Sequence, residues 1–185
     1  MRPYETLAFQ FSHHTLERVG PSEVRVRHAS QWLRVDASTY PNVEVVRALR
    51  TALMPQGTLH GTVFRYHNHE NTVLRALRQV IASGADADRQ QLLDFIDLIT
   101  KPSDAEAKLG VQAGPKAMVD LHRVVQEGYY SKVAGGSISL KYILPAILND
   151  APGVAQHFSQ AGVFGGPAVT SLNHALDDGH VWLQP

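Results

Sequence analysis

Gly61-Thr-Val-Phe-Arg-Tyr-His-Asn-His-Glu70-Asn-Thr-Val-Leu74 is the stretch on which the reading of this chain turns. Apolar and β-favouring residues run to Tyr66, polar residues break the run at His67-Asn-His69, and a carboxylate follows at Glu70. Beyond it, Val73, Leu74, Leu77, Val80 and Ile81 recur at helical spacing as far as Ser83-Gly84. The pattern predicts a strand, a polar junction and an amphipathic helix carrying an acid in its first turn. The positive end of the helix dipole favours an acid there by about 0.3–1 kcal/mol. Glu70 is also in phase with Leu74, Leu77 and Ile81, so its carboxylate is expected to point inward.

Working outward, Glu5 to Ser12 and Glu23 to Ser30 partly alternate apolar and polar residues and predict two strands, with a turn over Arg18 to Ser22. Pro41 opens a helix marked by Val43, Val46, Leu49 and Leu53, and Pro55 and Gly57 end it. A third strand is expected over Thr58 to Tyr66. Leu92, Phe95, Ile96 and Ile99 mark another helix. The polar segment from Lys101 to Pro115 reads as a mobile loop, within which Ser103 and Glu106 have capping-box spacing. An apolar run resumes at Ala117 and continues to Val125, and the segment from Asp150 to Pro185 is weakly periodic and reads as irregular. Strands followed by strands alternating with helices is the order of an α/β layer fold, with helices packed on a mixed sheet.

With 185 residues and 44% hydrophobic content, one core and one domain over residues 1–185 are expected. Seventeen basic residues balance seventeen acidic ones, which leaves no electrostatic footprint for nucleic acid. The absence of cysteine excludes disulfides, thiolate metal sites and cysteine nucleophiles, and fits a reducing cytoplasm. No run approaches the roughly 20 apolar residues of a membrane span, so a soluble, cytoplasmic protein without membrane contact is expected. Phosphate-loop, dinucleotide-binding, nucleophile-elbow and His-Glu-x-x-His patterns do not occur.

Three segments carry a family resemblance. They are Arg2-Pro-Tyr-Glu-Thr-Leu-Ala-Phe-Gln-Phe-Ser-His13, the junction from Gly61 to Leu74, and Val119-Asp-Leu121 followed by Gly128-Tyr-Tyr130 and Gly136-Ser-Ile-Ser-Leu-Lys-Tyr-Ile-Leu-Pro-Ala-Ile-Leu148. Together they resemble DUF2779, a bacterial domain whose pattern is similar to RNase H-like exonucleases of the DEDD type. The resemblance implies an RNase H-like mixed sheet flanked by helices, Mg²⁺ or Mn²⁺ as cofactor, and DNA or RNA as partner. It places the second acidic motif at Glu70 and a strand-end acid at Asp120. Such chemistry needs clustered carboxylates holding two divalent ions roughly 4 Å apart. The family's opening Asp-x-Glu motif would lie upstream of Arg2 and its last acidic motif beyond Pro185. The implied fold is therefore incomplete, with the first acidic strand absent. The chain is expected to be part of a larger parent, inactive alone, with an open sheet edge covered by self-association or by a partner chain. Asn173-His-Ala-Leu-Asp-Asp178 resembles the His-x-Ala-x-x-Asp motif, with Asn173 where the His belongs.

The candidate site residues each carry two readings. Glu70 is a catalytic metal ligand or an acid placed for the helix dipole. His67 and His69 are compatible with an imidazole-carboxylate metal site with Glu70, or are hydrogen-bonded surface groups, and Asn68 between them is a substrate-binding candidate. One of His13 and His14 could approach the same place, since adjacent strand residues face opposite ways. Asp120 lies in a cleft or is exposed by periodicity. Lys141 contacts a phosphate or is solvated. The expected function is an RNase H-like metal-dependent nuclease domain, and the alternative is a non-catalytic interaction module that keeps the fold.

Overall fold

The chain from Gln10 to Arg18 (β1) folds back on Val24–Leu33 (β2) as an antiparallel hairpin. The Val19 N–H donates to the Glu23 carbonyl (3.0 Å) at the turn, and the Arg34 N–H donates to the Phe9 carbonyl (2.8 Å) at the open end. Phe11 faces Trp32 and His13 faces Ser30, and a register shift after His13 then sets His14 against His28. The computed structural model describes residues 6–34 and 40–158, which belong to two compact units divided between Val119 and Asp120.

In the first unit the hairpin is followed by α1 (Asn42–Leu53), β2's successor strand β3 (Phe64–Arg65), α2 (His69–Ala82), α3 (Arg89–Ile99) and α4 (Asp104–Lys108). A two-residue strand β4, Val119–Asp120, pairs with β3, with the Val119 N–H donating to the Val63 carbonyl (2.9 Å). The three longer helices turn their apolar stripes together: Val45 and Val46 from α1, Leu74, Leu77 and Ile81 from α2, and Leu92, Phe95, Ile96 and Ile99 from α3. Leu59 and Met118 complete this core, and Ala8, Phe11 and Trp32 of the hairpin pack against it. Each such side chain taken fully out of water contributes about 1.5–3 kcal/mol.

Polar residues lock the arrangement. Asn42, fully buried, accepts from the Ala8 N–H (2.8 Å) and donates to the Thr6 carbonyl (2.7 Å), tying the chain before β1 to the start of α1. Asn71 does the same for α2 and the end of α3, accepting from the Lys101 N–H (2.8 Å) and donating to the Lys101 carbonyl (3.0 Å). Arg75 and Arg78 of α2 both donate to Asp97 of α3, and Arg75 also pairs with Glu106.

The second unit contains α5 (Leu121–Gly128), α6 (Leu140–Asp150) and α7 (Pro152–Phe158). Its buried cluster is small: Ala134, Ile143 and Ala146, with Val125, Tyr129, Tyr142 and Ile147 against it. The Tyr129 hydroxyl donates to Asp150 (3.0 Å), linking the end of α5 to the end of α6.

A mixed α/β chain is what forms, with all three main helices of the first unit where the spacing predicts them. The sheets differ from the expectation of one central sheet flanked by helices. Among the described residues there are two two-stranded sheets. The expected strand from Thr58 to Tyr66 shrinks to Phe64–Arg65 because Gly57 and Gly61 adopt positive φ (81° and 77°), which an extended strand does not accommodate. β1 starts at Gln10 rather than near Glu5, which itself lies outside the described residues, and His13-His14 fall inside the strand. The segment expected as a mobile loop carries α4, closed by the Ser103–Glu106 capping box, and is fastened to α2 through Arg75. The apolar run from Ala117 splits into β4 and α5. α7 opens the segment expected to be irregular, and Asn173 to Asp178 lie outside the described residues.

Candidate functional site

Among the described residues β1 hydrogen-bonds to β2 along one edge only, and the segment from Leu7 to Leu16 lines a groove of 990 Å³. The facing wall is the segment Thr58 to Phe64. Between the walls the floor is apolar, with Val46, Leu49 and Leu53 of α1 and Val73, Leu74 and Leu77 of α2. Half-exposed Phe9 and Phe64 stand on opposite walls. The volume is at the upper end of small-molecule pockets, and its length follows a strand.

Polar groups line the groove as well. His13 and His14 of β1, His60, and His69 and Glu70 of α2 all line the groove. His13 bonds to the Ser30 hydroxyl (3.2 Å). Burial, and then the neighbouring His14 and His28, hold its pKa below the usual histidine value. The His14 and His28 rings meet edge to face across the hairpin, 5.2 Å between centroids. A register shift falls between His13 and His14, and both line the groove, as do all residues from Leu7 to Leu16.

Glu70 sits in the first turn of α2, as the junction predicts, and it is exposed rather than turned toward the core. The inward position of that turn is taken by Asn71. His67 and Asn68 do not line the groove. His67 has a positive φ of 65° and its carbonyl accepts from the Arg65 guanidinium, so its backbone forms the sharp corner between β3 and α2. Asn68 is the N-cap residue and donates to the Thr72 hydroxyl (3.2 Å). Of the four junction residues, the structure brings His69 and Glu70 to the groove and gives His67 and Asn68 to the turn.

Asp120 and Lys141 are carried by the second unit. The Asp120 carboxylate accepts from the His122 N–H (3.1 Å) as the N-cap of α5. That is a structural task, worth about 0.5–2 kcal/mol. Lys141 is exposed in the first turn of α6, its Nζ 5.7 Å from the Tyr142 ring centroid.

Mg²⁺ and Mn²⁺ prefer several oxygen ligands converging on one point. Among the described residues no three His, Asp or Glu side chains come together in a way that would hold a metal ion. Glu70, His69 and His67 as placed do not fit a two-metal carboxylate centre. Four other acids of the first unit are engaged elsewhere: Asp97 with Arg75 and Arg78, Asp88 with Arg47, Glu106 with Arg75 and Ser103, Glu44 with Arg34. No described helix is long and apolar enough to cross a membrane.

The groove itself is what sequence reasoning missed, because its two walls are more than forty residues apart along the chain. Asn42 and Asn71 had a signal, since each is an amide at an inward helical phase. No curated protein and no solved structure matches the chain. The profile of a domain of unknown function, DUF2779, matches residues 1–139. That span covers the hairpin, the groove, the strand-to-helix junction and the start of the second unit, and on it the chain belongs to the DUF2779 family.

Proposed function

We propose that this chain is a binding module that does not hydrolyse nucleic acid by itself. The observation that carries this reading is the make-up of the groove, an apolar floor with Glu70 as the one carboxylate among its described lining residues. A lone carboxylate cannot position two divalent ions or both oxygens of an in-line displacement. The balance of seventeen basic and seventeen acidic residues agrees with a partner other than a polyanion. In a cleavage assay with Mn²⁺ or Mg²⁺ and labelled single-stranded DNA and RNA, the chain is expected to release no product. Metal-dependent cleavage abolished by Glu70→Ala is the result that overturns the reading.

A second reading is favoured by the position of His69 and Glu70 on the groove wall at the start of α2. In it the groove belongs to a metal-dependent nuclease, and the remaining acids come from outside the described residues. Titration of Mn²⁺ into the chain separates the two. Heat of binding lost in Glu70→Ala supports the nuclease, and no difference between the two proteins supports the module.

A further inference from the structure

The groove has two backbone edges as well as an apolar floor. In an antiparallel ladder successive residues turn their N–H and C=O groups alternately toward and away from the partner strand. Counting from the Arg34 N–H to Phe9 carbonyl bond, the Phe9 and Phe11 amides face β2, and those of Gln10 and Ser12 face the groove. Ala8, in the same phase as Gln10, donates to Asn42 rather than to β2, which agrees with that count. On the facing wall the Val63 carbonyl is turned toward β4, where it accepts from Val119. In either sense of pairing, the residue next to a bonded one turns its main-chain groups away from the partner strand, so the amide and carbonyl of Phe64, which lines the groove, point away from β4. Among the described residues, Gln10, Ser12 and Phe64 have no backbone partner outside their own two-stranded sheets.

The geometry points to one occupant: an extended β-strand from another polypeptide segment, with apolar side chains at alternate positions, lying between β1 and β3. A strand donates and accepts along both of its edges, and every second side chain leaves the same face. It would therefore meet the outward groups of Gln10 and Ser12 on one side and of Phe64 on the other, and set its apolar face on half-buried Leu49, Leu53 and Val73. It would also join the two two-stranded sheets into one and cover the β1 edge, which otherwise stands open to unwanted pairing. A compact small molecule would satisfy the floor and leave both edges unpaired. Recognition by strand addition draws affinity from main-chain hydrogen bonds and specificity from pockets for alternate side chains. This inference rests on the reading of the chain as a binding module.

The test uses the full chain, ¹⁵N-labelled, with an acetylated Lys-Val-Thr-Val-Thr-Val-Lys peptide at about 1 mM, an effective concentration a short tether would supply. A second peptide of the same sequence is N-methylated at alternate residues, so that it keeps the side chains and loses one row of donors. The expected result is slowing of amide exchange at Gln10 and Ser12 by about tenfold, comparable to one net hydrogen bond, with the first peptide and not with the second. Equal binding of both peptides, without protection of these amides, overturns the strand while leaving an apolar binding module standing. No perturbation of groove resonances by either peptide also overturns it, and the cleavage assay judges the module reading independently. Protection of Gln10 and Ser12 in the chain alone, with a dimer in sedimentation, assigns the groove to a second copy and overturns an outside partner.

Discussion

Gly114 is the glycine of the first unit with least room for a Cβ among the described residues, and replacing it with alanine is a demanding test of how the chain after α4 is held. A Cβ there would overlap the backbone carbonyls of Asp97 and Leu98. These belong to the last turn of α3, whose side chains Phe95, Ile96 and Ile99 are core, so they have little freedom to retreat. The Gly114 N–H donates to Thr100 (3.0 Å), Lys116 to Leu98 (3.0 Å) and Met118 to Ile99 (2.8 Å), each to a main-chain carbonyl. Relief of the overlap means lifting this segment and weakening those bonds. Overpacking costs about 1–3 kcal/mol, and each lost hydrogen bond a further ~0.5–1.5 kcal/mol net. Reduced backbone freedom in the unfolded chain returns only about 0.4–1 kcal/mol. Gly114→Ala is therefore expected to destabilise the first unit by about 3–5 kcal/mol, a large part of an ordinary domain's stability. Urea unfolding, read by amide exchange at Met118 and Ile96, measures it, with Gly128→Ala as the control because nothing lies within 4 Å of a Cβ there. A loss below about 1 kcal/mol at Gly114, or equal effects at both glycines, refutes the packing argument.

Three further outcomes follow from other locks in the fold. Asn42→Ala removes the bonds to Thr6 and Ala8 and is expected to cost about 1–3 kcal/mol. Faster exchange of the Ala8 amide before that of α1 is the sign to look for, and simultaneous loss of both would contradict a local clip. The Ser103 backbone N–H, then Arg75 and the Ser103 hydroxyl, lower the Glu106 pKa from 4.5 to about 2. The unfolded chain binds the proton first, so this contribution is complete above about pH 4.5 and fades as pH falls toward 2. Glu106→Gln should flatten the acid limb of the stability curve in that window and nowhere else. His13 has a lowered pKa, so the unfolded chain protonates first and the hairpin loses stability as pH falls below about 6.5. In His13→Asn this loss should diminish, monitored by amide exchange in β1, and an unchanged pH profile would remove His13 as its cause.

The three main helices were legible because their apolar residues repeat at 3.6-residue spacing, and the first two are bounded by Pro41, by Pro55 and Gly57, and by Ser83-Gly84. The β structure was legible in kind more than in extent. Thr58 to Tyr66 has strand-like composition, yet the backbone signs at Gly57 and Gly61 belong to a turn, and composition does not report the sign of φ. The shift of β1 toward Arg18 has a similar origin. Exposed Leu16, Val24 and Val26 extend the hairpin past the residues that pack on the core, so burial there does not mark the end of the strand. The segment after Lys101 looked mobile because it is polar, but its polar groups are the fastening: Ser103, Glu106 and the Lys101 backbone bind α2 and close α4.

The phase of α2 shows why the site was harder to read than the fold. Leu74 is four residues from Glu70 and three from Asn71, and both spacings put two residues on one helix face. The apolar pattern beyond Val73 accommodates either choice, although the two differ by about 100° of rotation. Burying Glu70 would cost the desolvation of a charge with no cation beside it, which runs to several kcal/mol. Asn71 is neutral and finds both of its partners on the Lys101 backbone. The cheaper amide takes the interior, and Glu70 is left exposed on the wall of the groove. A carboxylate in that position remains free to meet whatever the groove admits. The chemistry available at Glu70 is thus set by the occupant between β1 and β3 as much as by the α2 helix that carries it.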